Sequence, residues 1–334
     1  MLDLPVWFEV GSFAVLGLIL LVDLLLVVRH PHEPSMKEAG LWVTFYVTLA
    51  LAFAGAMFAF TGPEFGSQFV AGWVTEYSLS IDNLFVFVII MSRFAVPRQY
   101  QQKVLLIGIV LALVMRGAFI AAGAAIIDQF IWIFYLFGVF LIYTAIRFAR
   151  QGEMDMGDYQ ENAAIRFSRK VLPVSQGIDH AHLTTQDESG RRVFTPLVIV
   201  MIALGTTDLV FALDSIPAIF GLTREPYLVF TANVFALMGL RQLYFLLGGL
   251  LARLKYLSIG LAVVLGFIGM KLMLEALHDN NVPFINGGEP IKGIPFIPIW
   301  LSLTVIIATL TVTTVWSLLS SRNDRLRDQA AVRN

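Results

Sequence analysis

Cysteine is absent from this 334-residue chain, and that single absence removes disulfide frameworks, thiolate metal sites, thiol redox chemistry and cysteine nucleophiles together. Charge is scarce as well: Asp, Glu, Lys and Arg make up only 14% of the residues, where soluble domains carry about a quarter. The formal net charge of -1 shows no basic excess, so nothing points to a nucleic-acid partner. What is abundant is apolar. Hydrophobic residues make up 57% of the chain and the mean hydropathy is +0.77, values that place it in a lipid bilayer as an integral membrane protein. The N-terminal MLDLPVWFEV carries Asp3 and Glu9 where a cleavable signal would carry Lys or Arg, so the first apolar run is expected to be a retained helix.

Apolar runs long enough to cross a bilayer, which takes roughly 20 residues at helical rise, begin near residues 6, 41, 67, 104, 130, 194, 226, 256 and 296. The expected fold class is therefore an all-α polytopic membrane protein of nine transmembrane helices in one domain, residues 1–334. Turn-like stretches such as FTGPEFG, FAVPRQ and GLTREP separate the runs. Basic connections hold Arg29 and Lys37; Arg93, Arg98 and Lys103; Arg147 to Arg192; Arg253 and Lys255; and Arg322 to Arg333. They alternate with connections whose only bases are Arg224 and Lys292, which predicts an N-terminus outside and a C-terminus in the cytosol of an inner-membrane protein. The longest connection, residues 150–193, reads as a cytosolic segment in which QDESGRRV is suited to a small hairpin. His180 and His182 lie there as a metal-sensing pair or as part of a solvated loop.

Polar groups interrupt the apolar runs in a pattern. TEYSLSIDN places Glu76, Asp82 and Asn83 in the third run, and TTDLVFALDS places Asp208, Asp214 and Ser215 in the sixth at identical spacing. The fourth run has Arg116, Phe119 and Gly123, and the seventh has Arg241, Tyr244 and Gly248 in the same order. Tyr143 to Arg147 similarly answers Phe267 to Lys271. These matches predict an inverted-topology repeat, residues 67–149 against 194–277, around a midplane site.

On a helix of about 3.6 residues per turn, Glu76 shares a face with Asn83, and Asp208 with Ser215, while Asp82 and Asp214 lie about 100° round. Unwinding near Pro217, with a softer weak point at Ser78 and Ser80, would let each set converge. A charge at the bilayer centre costs roughly 2.5 to 3.5 kcal/mol, so four uncompensated acids would cost on the order of 10 kcal/mol. Arg116 and Arg241 offset part of that and leave two negative charges, which one divalent cation or two protons would balance. Buried ion pairs that set helix register are the competing reading. Carboxylate, amide and hydroxyl oxygens are hard donors suited to magnesium, calcium or manganese. Asn233 faces the same way as Arg241, as a ligand or an interhelical hydrogen bond, and Asp23 either caps the site or reaches the membrane interface. Lys271 with Glu275 is spaced for an i,i+4 pair; these and Asp128 read as structural, Arg147 as a base that snorkels to the membrane surface, and the helical Met91, Met115, Met201 and Met238 as packing.

The stretches EYSLSIDNLFVF, TDLVFALDSIPAIF, TANVFALMGLRQLYFLL and LGFIGMKLML together resemble the TerC family of bacterial membrane proteins, named for an association with tellurium resistance. The resemblance extends over nearly the whole chain, including HEPSMKEA and TPLVIV. It implies a metal-ion transporter similar to manganese exporters, with no permanent cofactor, a transported divalent cation as partner, protons as candidate coupling ions and room for an oligomer. The implied metal ligands are Glu76, Asp82, Asn83, Asp208, Asp214 and Ser215, with Arg116, Arg241, Asn233 and Asp23 in support. One position departs from the family pattern: where many members carry a glutamate, three residues before the first aspartate of the second motif, this chain has Gly205. Two other functions compete: a non-transporting scaffold of a stress-resistance complex, and, remotely, an intramembrane aspartyl protease, whose YD and GxGD motifs the SIDN and ALDS sequences do not match.

Overall fold

The computed structural model describes residues 4–29, 34–94, 96–130, 132–151, 166, 170, 172–175, 183–186, 191–247, 256–280, 282–283, 285–291, 293–295 and 297–333. The helices in chain order are α1 (Val6–Arg29), α2 (Met36–Arg93), α3 (Arg98–Gln129), α4 (Ile133–Gln151), α5 (Pro196–Phe220), α6 (Pro226–Leu237), α7 (Leu240–Leu247), α8 (Leu257–His278) and α9 (Ile299–Arg333). Between α4 and α5, β1 (Thr184–Gln186) pairs antiparallel with β2 (Arg192–Phe194), Thr185 opposite Val193, as the polar hairpin expected there. His180 and His182 lie outside the described residues.

Eight helices, not nine, are long and apolar enough to cross a membrane among the described residues, with α6 and α7 together making one of them. The difference arises at FTGPEFG. The runs expected to begin near 41 and 67 belong to one element of 58 residues, hydrogen-bonded from an N-cap at Ser35 and departing from helical geometry only at Gly62 (φ 84°, ψ 179°). Pro63 follows, and a proline at the start of a helical stretch gives up an N–H that would lack an intrahelical acceptor anyway, so the helix resumes at once. The element folds back there. The Phe53 and Phe69 rings are 4.8 Å apart, whereas a straight helix would hold those positions about 24 Å apart. The Phe58 ring covers Gly66 so closely that a Cβ there would sit 2.6 Å from it.

The expected inverted repeat is likewise corrected. Its first triplet runs through an unbroken α3, whereas the corresponding stretch of the second triplet is two pieces, α6 and α7, split at Gly239 (φ 81°) with Tyr46 packed against the break. The two sets do not correspond element for element.

Burial sorts the helices by depth. α1 and α9 turn Trp7, Leu18, Trp300 and Trp316 outward, as lipid-facing helices do, while residues 231–237 of α6 are buried throughout. Lipid tails are as apolar as leucine, so helices here associate by close packing and polar contacts. The α4–α8 pair shows the packing side: a Cβ at either Gly138 or Gly269 would lie 3.0 Å from the other's carbonyl oxygen. The polar side is concentrated around α6.

Candidate functional site

The second arm of α2 presents Glu76, Ser80 and Asn83 along one helical stripe, all buried. The expected softening at the serines is absent, because Ser78 Oγ donates back to Val74 O at 2.7 Å inside a regular helix. α5 also runs unbroken through Pro217, so the unwinding expected beside Asp214 does not occur. Asp208 and Ser215 are buried on it. The side chains of Asp82, Asp128 and Asp214 fall outside the described residues.

Arg116, in the middle of α3, draws these elements together. It is the largest fully buried side chain among the described residues, and its guanidinium grips Asp208 with two bonds: Nε donates to Oδ2 at 3.1 Å and Nη2 to Oδ1 at 3.0 Å. Nη1 donates to Asn233 Oδ1 at 3.0 Å and pairs with the Glu76 carboxylate. Asn233 is itself oriented by its Nδ2, which donates to Val229 O at 3.0 Å within α6. One guanidinium thus ties α2, α3, α5 and α6 at a point sealed from solvent. With the side chains ionised the cluster is one negative charge in excess, and Glu76 Oε2 has no hydrogen-bond partner among the described residues. Three further buried hydroxyls in the same stretches of α2 and α5, those of Thr75, Ser80 and Ser215, also have none. Unpartnered buried oxygens are costly, so each of these positions calls for a partner.

Four of the expected site residues, Glu76, Asp208, Arg116 and Asn233, therefore meet, with Asn83 and Ser215 buried on the same two helices. Arg241 does not join them. At the start of α7 it pairs with Asp23 of α1 at 2.8 Å beside a cavity of about 280 Å³. Lys271 and Glu275 do not bond to each other: Lys271 Nζ donates to Gly221 O at 2.9 Å, at the end of α5, and Glu275 accepts from Arg224 at 2.9 Å. Arg224 also pairs with Asp279 at 3.1 Å and lies 4.5 Å over the Phe134 ring, a clasp that sequence reading missed although Arg224 is the one base in its turn. Among the described residues no three His, Asp or Glu side chains come together as a metal-holding group. The two acids that meet have an arginine between them.

Comparison with known proteins places the chain among membrane proteins. The family described as "Integral membrane protein TerC family" matches residues 61–325. An uncharacterized membrane protein of Mycobacterium tuberculosis is 49% identical over 307 residues, 91% of this chain and 77% of the relative. Another, from Myxococcus xanthus, is 38% identical over 322 residues, 96% of this chain and 95% of the relative. The Alx protein of Escherichia coli, whose name proposes a membrane-bound redox modulator, is 37% identical over 329 residues, 95% of this chain and 96% of the relative. No solved structure matches significantly.

Proposed function

The chain belongs to the TerC family of integral membrane proteins, and we propose that it exports divalent metal ions, manganese(II) foremost, across the cytoplasmic membrane by alternating access. On this reading the chain moves an ion and catalyses no reaction. The observation that carries the reading is the surplus of buried acid: Glu76 and Asp208 share one guanidinium, and Glu76 Oε2 and the hydroxyls of Thr75, Ser80 and Ser215 have no hydrogen-bond partner among the described residues. Ionisable groups at membrane depth are functional by default, and an all-oxygen donor set suits a hard divalent cation. Asp82 and Asp214, on the same two helices, are assigned as its further ligands.

The same charge count supports proton exchange. A cation leaving the site leaves one more buried acid than base, and a proton arriving as it leaves would neutralise that surplus. Basic connections on one face support an N-terminus outside and a C-terminus inside: with α2 folded back at Gly62, both its ends would lie on the cytosolic side, and each later span, α6 and α7 counting as one, would cross once. The Alx relative is named as a membrane-bound redox modulator. With no cysteine in this chain, a redox role here would run through the metal moved and not through thiol chemistry.

The test is reconstitution in liposomes loaded with a manganese-sensitive dye, comparing wild type with Asp82→Asn and Asp214→Asn. Wild type moves the ion and both variants lose most of the flux. Absence of divalent flux under every pH gradient would overturn the transport reading in favour of a membrane scaffold; normal flux in both variants would overturn the ligand assignment alone.

A further inference from the structure

Arg116 stands where a transported cation would have to bind. Its fork takes both oxygens of Asp208, the Oδ1 of Asn233 and the Glu76 carboxylate, the very donors a hard cation would use on α2, α5 and α6. A guanidinium and a divalent ion repel, so the ion can take the full set of these oxygens only as the guanidinium withdraws. Arg116 is also placed to hold on its own: it is always charged, and its planar fork matches a carboxylate with two parallel bonds.

A purely structural ion pair would be balanced one to one. Here two acids face one base, and Glu76 Oε2 is buried without a partner beside it. An arrangement with one carboxylate fully engaged and the other half engaged is already opened at Glu76.

Resting on the transport reading, we propose that Arg116 is a tethered counter-cation: it occupies Glu76 and Asp208 while the site is empty, and a divalent ion takes those carboxylates by displacing it. Glu76 is the first point of contact, because its free oxygen accepts the ion before Asp208 is released. The tether gives the carrier two properties. The carboxylates are never left bare in the membrane interior during the empty return, and a weakly bound monovalent ion cannot evict a bidentate guanidinium. Asn233, fixed by its bond to Val229 O, marks the resting position of the fork and ties the displacement to α6, the most deeply buried helix.

The alternative, that Arg116 is a scaffold that arranges the acids, predicts the opposite sign in a binding experiment. Full-length protein in detergent is titrated with Mn2+, free ion being read by electron paramagnetic resonance, for wild type, Arg116→Lys and Arg116→Gln. Lysine keeps the charge, and with it the fold, but lacks the fork; glutamine removes the charge. The tether predicts an apparent Kd lower by about threefold in Arg116→Lys and by about tenfold or more in Arg116→Gln, with slowed liposome flux in both. An unchanged or raised Kd in Arg116→Lys, with the circular dichroism and gel-filtration profile of wild type, overturns the tether, and this holds even if Arg116→Gln does not fold. Wild-type Mn2+ binding and flux are the separate control: if they are missing, the transport reading fails; if they are present while Arg116→Lys binds no tighter, only the tether fails.

Discussion

Charge balance around Arg116 predicts that removing the base harms the fold much more than removing one of its acids. Arg116→Gln leaves Glu76 and Asp208 buried with no counter-charge, and breaking a buried pair by deleting one partner costs about 3–5 kcal/mol. Two acids are stranded here, so the upper end applies. Asp208→Asn gives up hydrogen bonds worth about 1.5–3 kcal/mol each when charged, but asparagine keeps one acceptor for the fork and the cluster becomes one acid to one base. Its net cost is about 1–2 kcal/mol by the same reckoning, which leaves a gap of about 3 kcal/mol between the variants. Set against a total stability of about 5–15 kcal/mol, that gap is easily measured. Unfolding of the detergent-solubilised protein, followed through its 6 tryptophans, reads it directly. The gap should persist in high salt, because the groups are sealed from the screening ions. Equal costs, or a larger cost for Asp208→Asn, would refute the surplus-acid reading of the cluster. Saturating Mn2+ should in turn restore part of the loss in Arg116→Gln, by about 2.7 kcal/mol at a hundredfold excess over Kd.

Gly62→Ala forces a side chain into backbone geometry that only glycine adopts freely, at a cost of about 1–3 kcal/mol in the same unfolding assay. No loss would mean that the fold-back of α2 does not depend on that residue. Asp23→Asn weakens the anchoring of Arg241 on α1, with a cost below that of Arg116→Gln because Asp23 and Arg241 keep some solvent access, and it leaves Mn2+ binding unchanged because the pair is separate from the Arg116 cluster. Gly205→Glu restores the acid that many family members carry; its Cβ would press on the flexible tip of Leu111 at 2.5 Å, a contact the leucine can relieve by turning toward lipid. The extra carboxylate, one helical turn before Asp208, should tighten Mn2+ binding severalfold, and an unchanged titration would place position 205 outside the site.

The site was more legible in the sequence than the fold around it. Glu76, Asp208, Arg116 and Asn233 stand out because charged and amide groups within apolar runs are rare, and a shared helical face follows from a separation of seven. Their partners were not legible. Arg116 and Arg241 sit in the same R-x-x-aromatic-x-x-x-Gly pattern, yet one binds two acids and the other binds Asp23, 218 positions away on a helix that nothing in the pattern links to it. The helix count failed where a Gly-Pro pair looks the same whether it opens a loop or bends a helix through one residue. Pro217 misled in a related way: a proline removes one helical bond, but packing on both sides of α5 holds the rest of the helix in register.

Stability alone does not account for a cluster of this kind. Replacing a buried ion pair by well-packed apolar residues is often neutral or stabilising by about 1–4 kcal/mol, and α6 is surrounded by helices that could pack on it with leucine and alanine, as the rest of its buried length shows. Asn233 is an amide among those apolar residues, and its oxygen is spent entirely on Arg116. Arg116 in turn is needed only because Glu76 and Asp208 are there. The chain of dependence ends at the acids, which stabilise nothing that a neutral side chain could not stabilise at lower cost. Under the proposed transport function, a membrane protein that buries two carboxylates, with an arginine and an asparagine to hold them, is organised around what those carboxylates would bind when the arginine lets go.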